Sequence, residues 1–223
     1  MIKIFLLDFS GADEDAYRLS ALPDFVGETK NSALRREREF AYSLLSYAYR
    51  KCFSEDMPQI EKTELSRPYF SDKSVDFNLS HNENMVALVI SDEGRVGIDV
   101  EKISDKISER LKDKVDKLYL EKLDIFTQGT EEISEEIKLF RVEKDGFYES
   151  YNADFCKYKL EKEVDFFEKW TLIEAISKAD GGGISSFSKL NWNIGNVSLK
   201  KAVIFDREGG KYALAVIMLK GDG

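Results

Sequence analysis

Cysteine and histidine are scarce in this chain, and apolar runs are short. Two cysteines occur in 223 residues, Cys52 and Cys156, far apart and without metal-ligand spacing. That pattern predicts a reducing compartment, with both thiols as small buried hydrophobes. The N-terminal run Ile2-Lys3-Ile4-Phe5-Leu6-Leu7 stops at Asp8, too short for a signal peptide's apolar region or for a membrane span. It reads as a first strand, and the expected location is the cytoplasm. Excess positive charge is also missing. A formal net charge of −9 argues against general nucleic-acid binding, although 33 Lys and Arg residues leave room for a local phosphate groove.

With 43% hydrophobic and 12% aromatic residues the chain is a folded globular protein, long enough for one large domain or two small ones. Ala33 to Phe53 has helical periodicity, with Leu34, Phe40, Leu44, Leu45, Ala48 and Cys52 roughly on one side. Arg67-Pro68-Tyr69 is extended or turning, because Pro68 biases Arg67 away from helix. Val75, Phe77 and Leu79 alternate into a short strand that ends at Ser80-His81. Met85 to Ile90 is a second strand, and the turn Asp92-Glu93-Gly94 leads to a third over residues 95–101, so these two are expected to pair as a hairpin. In the second half, Phe166 to Ala179 is helical and is stopped by Gly181-Gly182-Gly183. Strands are expected around Asn191 to Ile194, from Lys200 to Phe205, and over Tyr212 to Ile217, a run that echoes Met85 to Ile90 in kind and place.

The expected fold class is therefore α+β, with a pseudo-repeat: each half holds a helix and a small antiparallel set of strands. The division falls at 1–102 and 103–223. Helical periodicity at Ile107, Leu111, Val115 and Leu118 opens the second half, and an acid-rich loop or added hairpin follows within about residues 120–165.

Gly97-Ile98-Asp99-Val100-Glu101 carries the most chemical information. Apolar and acidic positions alternate, the period of a half-buried strand. Asp99 and Glu101 then leave the same face with Cα atoms about 7 Å apart. Folding alone gives no reason to set two carboxylates so close, whereas a hard cation such as Mg²⁺ relieves their repulsion. Three further clusters accompany them. Ser80-His81 includes the chain's single histidine, which can hydrogen-bond a phosphate or serve structure alone. Glu174 and Lys178 lie one helical turn apart at the border of a stripe of Phe166, Trp170, Ile173 and Ile176. They form an ordinary ion pair, or a metal ligand and general base beside a phosphate contact. Lys30, Arg35, Arg36, Arg38 and Arg67 solvate a helix surface by default, and a ligand with several phosphates would employ them.

In this order, Arg67-Pro68, the Phe77 to His81 segment, Gly97-Ile98-Asp99-Val100-Glu101 and Trp170-Thr171-x-x-Glu174-Ala175-x-x-Lys178 resemble the 4′-phosphopantetheinyl transferases of the larger, surfactin-synthetase-activating class. The resemblance implies two similar α+β subdomains related by a pseudo-twofold, each a small antiparallel sheet packed with a long helix. It implies transfer of phosphopantetheine from coenzyme A to a serine of an acyl or peptidyl carrier protein, and the pseudo-repeat suggests that one chain completes its own active site, as a monomer. Carried over position by position, it assigns Mg²⁺ to Asp99, Glu101 and Glu174. Glu174 is also the expected base for the carrier serine, and Lys178 neutralises the phosphate under attack. Ser80, His81, Arg67 and Lys30 are the remaining expected coenzyme A contacts. Three departures stand out: Ile173 replaces a usual lysine, Tyr42 and Ser43 stand near a usual arginine, and the interval from Glu101 to Trp170 is long. Ile173 keeps open the alternative of a coenzyme A-binding protein with weak or lost transfer. An unrelated Mg²⁺-dependent phosphohydrolase is a third reading, without a recognisable motif.

Overall fold

The structure, a computed structural model, describes residues 1–223 except 14–15, 17–21, 28, 122–136, 151–154, 157–161, 190–196, 208–209 and 220–223. Strand β1 (Ile2–Asp8) opens the chain. Helix α1 (Ser32–Phe53) follows, started by Asn31, whose side-chain oxygen accepts from the Leu34 N–H at 3.2 Å, and ended by Ser54 in the left-handed region. Strands β2 (Ile60–Lys62) and β3 (Pro68–Phe70) form a small ribbon. Then come β4 (Asp76–Asn82), β5 (Met85–Ser91), β6 (Val96–Lys102) and helix α2 (Glu109–Glu121). Strands β7 (Ile137–Val142), β8 (Phe147–Glu149) and β9 (Phe155–Cys156) precede helix α3 (Lys162–Asp180), and β10 (Val197–Arg207) and β11 (Gly210–Leu219) complete the chain.

The fold is α+β. The first sheet has the order β4-β5-β1-β7-β8, antiparallel except for β1 beside β7; the second, β6-β11-β10-β9, is antiparallel throughout. Alternation along the strands builds three apolar layers. Phe5, Leu7, Phe77 and Leu88 pack on Phe40, Leu44 and Leu45 of α1. Ile4, Leu6 and Val89 meet Ile98, Val100 and Leu214 between the sheets. Ile173, Ala175 and Ile176 of α3 cover Ala213, Ala215 and Ile217 on the far side. The order is helix, sheet, sheet, helix. Each fully buried Leu or Ile contributes about 1.5–3 kcal/mol. Strands β5 and β11, whose sequences echo each other, are both interior to their sheets and buried along both faces. Cys52 is free and half-buried against the first core.

The expected hairpin of β5 with β6 does not form. Strand β5 has β4 on one edge and β1 on the other, and the turn after it carries the chain into the second sheet, where β6 pairs with β11. Strand β5 instead pairs across a tight turn with β4, joined through Glu83 at φ 50°. Sheet membership thus crosses residue 102: β6 edges the second sheet, while β7 and β8 extend the first. Within 120–165, β7 and β8 pair as an antiparallel hairpin. The segment 130–136 and the strand expected near 191–194 lie outside the described residues.

Gly97 faces α3 rather than the inter-sheet core. A Cβ there would sit 1.9 Å from the Ala175 carbonyl oxygen and 2.7 Å from the Ala179 nitrogen. Strand and helix approach this closely only because the side chain is absent. That contact sets Asp99 and Glu101, on the same face as Gly97, against α3.

Candidate active site

Strand β6 is the edge of its sheet, so alternate N–H groups point away from β11 and need partners. Side chains of β4 supply them. Val96 N–H donates to Asp76 Oδ2 at 2.8 Å, Ile98 to Asn78 Oδ1 at 3.1 Å, Val100 to Ser80 Oγ at 3.3 Å and Lys102 to Asn82 Oδ1 at 3.3 Å. A polar residue at every second position of β4 thereby joins the two sheets and fixes the height of the acidic strand.

Asp99 is 3% exposed. Its Oδ1 accepts from Lys178 Nζ at 2.6 Å and from the Ser80 hydroxyl at 2.8 Å. Lys178 also donates to Ser80 Oγ at 2.9 Å. Ser80 therefore gives one hydrogen bond and receives two, the full capacity of a hydroxyl. Asp99 Oδ2 is buried with no hydrogen-bond partner. Glu101 is held at both oxygens, by Asn82 Nδ2 at 2.5 Å and by the Trp170 indole N–H at 3.3 Å. Glu174 faces the same region from α3, where it feels the charges of Asp99 and Lys178.

Burial and the nearby charge of Asp99 make Glu101 and Glu174 unusually proton-hungry. Burial first, then Asp99, pushes Glu101 up to about 7. Glu174 is raised by the same causes in the same order, with Lys178 opposing. Below about pH 4.5 Glu101 is protonated folded or unfolded, and its stabilising shift is fully present; it is lost as pH rises through about 7. In metal-free buffer Glu101→Gln should flatten that slope. Its melting temperature is expected to gain on the unaltered protein between about pH 5 and about pH 8; parallel curves would mean that Glu101 does not carry the shift.

Among the described residues, no three His, Cys, Asp or Glu side chains are gathered into a ready metal cage. Mg²⁺ does not require one, since it usually takes one or two protein carboxylates and completes its shell with water and substrate phosphate. The unpartnered Asp99 oxygen, together with Glu101 and Glu174, whose proton affinity Asp99 raises, matches what such a cation neutralises. The residues fit the ion.

His81 lies beside this group. Its Nδ1 is 2.7 Å from Glu37 Oε2 of α1, and burial, aided by Lys178 and Arg38, lowers its proton affinity against the pull of Glu37. Arg67 is 9% exposed and fully engaged. It binds Asp76 through two parallel bonds at 2.9 and 2.7 Å and reaches the carbonyls of Lys178 and Val96, each at 3.1 Å. It also lines a cavity of about 740 Å³ with Tyr69, Lys73 and Arg95. Lys30 is exposed, one residue before the N-cap of α1. Ile173 is wholly buried in the third core and brings no cation. Tyr42 and Ser43 are core residues of α1. Sequence reasoning passed over Asp76, Asn78, Asn82 and Glu37. The alternation at 76, 78, 80 and 82 was visible, but only the assembled sheets reveal what it bonds.

A provisionally named 4′-phosphopantetheinyl transferase of Haemophilus influenzae is 31% identical over 140 residues, 60% of this chain and 45% of that protein. The 4′-phosphopantetheinyl transferase AcpT of Escherichia coli O157:H7 is 36% identical over 91 residues, 40% of this chain and 44% of that protein. The chain thus matches somewhat under half the length of each of these curated relatives. No family model matches it. This chain is thus similar, over part of its length, to two proteins named as 4′-phosphopantetheinyl transferases. No described helix is long and apolar enough to cross a membrane.

Proposed function

We propose that this protein transfers 4′-phosphopantetheine from coenzyme A to a serine of an acyl or peptidyl carrier protein, with Mg²⁺, as a member of the larger surfactin-synthetase-activating class. We place the reaction in the cytoplasm, in a monomer with no nucleic-acid or membrane partner. One observation carries the reading: at the contact of β6 with α3, Asp99 keeps a buried, unpartnered oxygen beside Lys178 and two further desolvated carboxylates. Similarity to two relatives named as 4′-phosphopantetheinyl transferases supports it.

Asp99, Glu101 and Glu174 would hold the ion, which when bound supplies neutralising charge to the coenzyme A pyrophosphate. Glu174, with its raised proton affinity, is suited to take the proton of the carrier serine as its oxygen bonds to phosphorus. The bond to the leaving adenosine 3′,5′-bisphosphate breaks, and Lys178 stabilises charge on the phosphate under attack. Such a reaction is catalysed by positioning and electrostatics, and it needs no protein nucleophile. Ser80, His81, Arg67 and Lys30 are proposed coenzyme A contacts. Ser80 reaches a phosphate only by exchanging one of its present partners, and Arg67 borders the cavity that would take the nucleotide end.

The buried Ile173 favours one second reading, a coenzyme A-binding protein that transfers poorly. Calorimetry with coenzyme A, followed by assay on several apo carriers, separates the two. Saturable 1:1 binding with turnover supports transfer; binding without turnover supports the second reading, and no binding overturns both.

A further inference from the structure

Glu101 is held at both of its oxygens, and its restraints come from two directions. Asn82 approaches from β4 in the first sheet, and Trp170 from α3 on the far side of the second. Neither donor is free to turn away. The Lys102 N–H donates to the Asn82 carbonyl oxygen at 3.3 Å, which fixes the amide so that its nitrogen faces Glu101. The Trp170 ring stacks on Phe166 with centroids 6.3 Å apart and planes 8° from parallel, which fixes the indole N–H. Each Glu101 oxygen therefore receives one donor. A carboxylate offers about four lone-pair sites, so acceptor capacity remains on both oxygens.

We propose that Asn82 and Trp170 are positioning residues that hold the Glu101 carboxylate in the orientation in which it binds a divalent cation, an inference that rests on the metal reading given above. Two donors from opposite walls do nothing for the chemistry directly. They remove the rotational freedom that a long Glu side chain otherwise surrenders when it ligates, so the ion meets a preset oxygen. The same two bonds make the site sensitive to the packing of the first sheet against the second. Asn82 serves twice, because its carbonyl also satisfies the β6 edge.

The test uses the full chain with Mn²⁺ as the probe, titrated by electron paramagnetic resonance with coenzyme A present. Trp170→Phe removes the indole N–H and keeps the ring, and Asn82→Ala removes the other donor. Each variant is expected to bind Mn²⁺ roughly 10- to 100-fold more weakly, the usual effect of losing a partner behind a metal ligand. Half-saturating Mg²⁺ in the transfer assay should rise by a similar factor, while turnover at saturating Mg²⁺ is kept. Unchanged Mn²⁺ affinity in both variants, with only a lower melting temperature, would overturn the proposal and leave the two residues a purely structural part. If Trp170→Phe does not fold, Asn82→Ala alone decides. Failure of the unaltered protein to bind Mn²⁺ would remove the metal reading, and this proposal with it.

Discussion

Asp99→Asn is expected to leave a folded protein whose transfer rate has fallen by about 10³-fold or more, the scale of losing several kcal/mol of charge stabilisation at the transition state. The substitution is nearly isosteric, and it keeps an oxygen where Lys178 and Ser80 donate. What it removes is the negative charge, part of which sits on a buried oxygen with no partner. The substitution also takes the charge from the pair with the partly exposed Lys178, so the melting temperature should fall modestly while far-ultraviolet circular dichroism is unchanged. The loss should not be recovered by more coenzyme A. Near-normal turnover in Asp99→Asn would end the assignment of this carboxylate to the reaction.

Arg67→Ala should instead be a stability mutant. Its guanidinium ties Asp76 to the end of α3 and the start of β6, so removing it strands a carboxylate and two carbonyl oxygens in a poorly hydrated place. Breaking a buried pair from one side costs about 3–5 kcal/mol, and this pair is near the lower end because Asp76 is partly exposed. The urea midpoint measures it. Arg67→Lys keeps the charge but not the fork and should recover only part of the loss. A shift under about 1 kcal/mol, of the size typical of surface ion pairs, would remove the framing role, and weakened coenzyme A binding beside it would leave Arg67 only the ligand contact proposed above.

Sequence patterns made legible the elements whose apolar positions are clearly bounded. The limits of α1 were recoverable within a residue from its apolar stripe, β1 was a short apolar run closed by Asp8, β4 an alternation of Val75, Phe77 and Leu79, and α3 an apolar run stopped by Gly181-Gly182-Gly183. The acidic strand was legible in finer detail. Ile98 and Val100 do face the core, and Asp99 and Glu101 leave the other side towards α3. Pairing was another matter. The turn after β5 looks like a hairpin turn, but local sequence cannot say that β1 and β11 compete for the two strands it joins and win. Arg67 illustrates the same limit. An arginine before proline reads as a surface cation, and its burial depends on Asp76, Val96 and Lys178, brought together by three separate elements. Ser80 was found by its place in a motif, but its three partners follow only from the assembled sheets.

The central claim is that the carboxylates around Asp99 and the lysine of α3 serve one transfer reaction. The most direct test is the intact mass of an apo carrier protein after incubation with this protein, coenzyme A and Mg²⁺, alongside an EDTA control and the Asp99→Asn variant. The account predicts a mass gain of one phosphopantetheine on the carrier, absent with EDTA and absent with the variant. An unmodified carrier in every arm, across several carrier types, would contradict it, and so would a gain that EDTA and Asp99→Asn leave untouched.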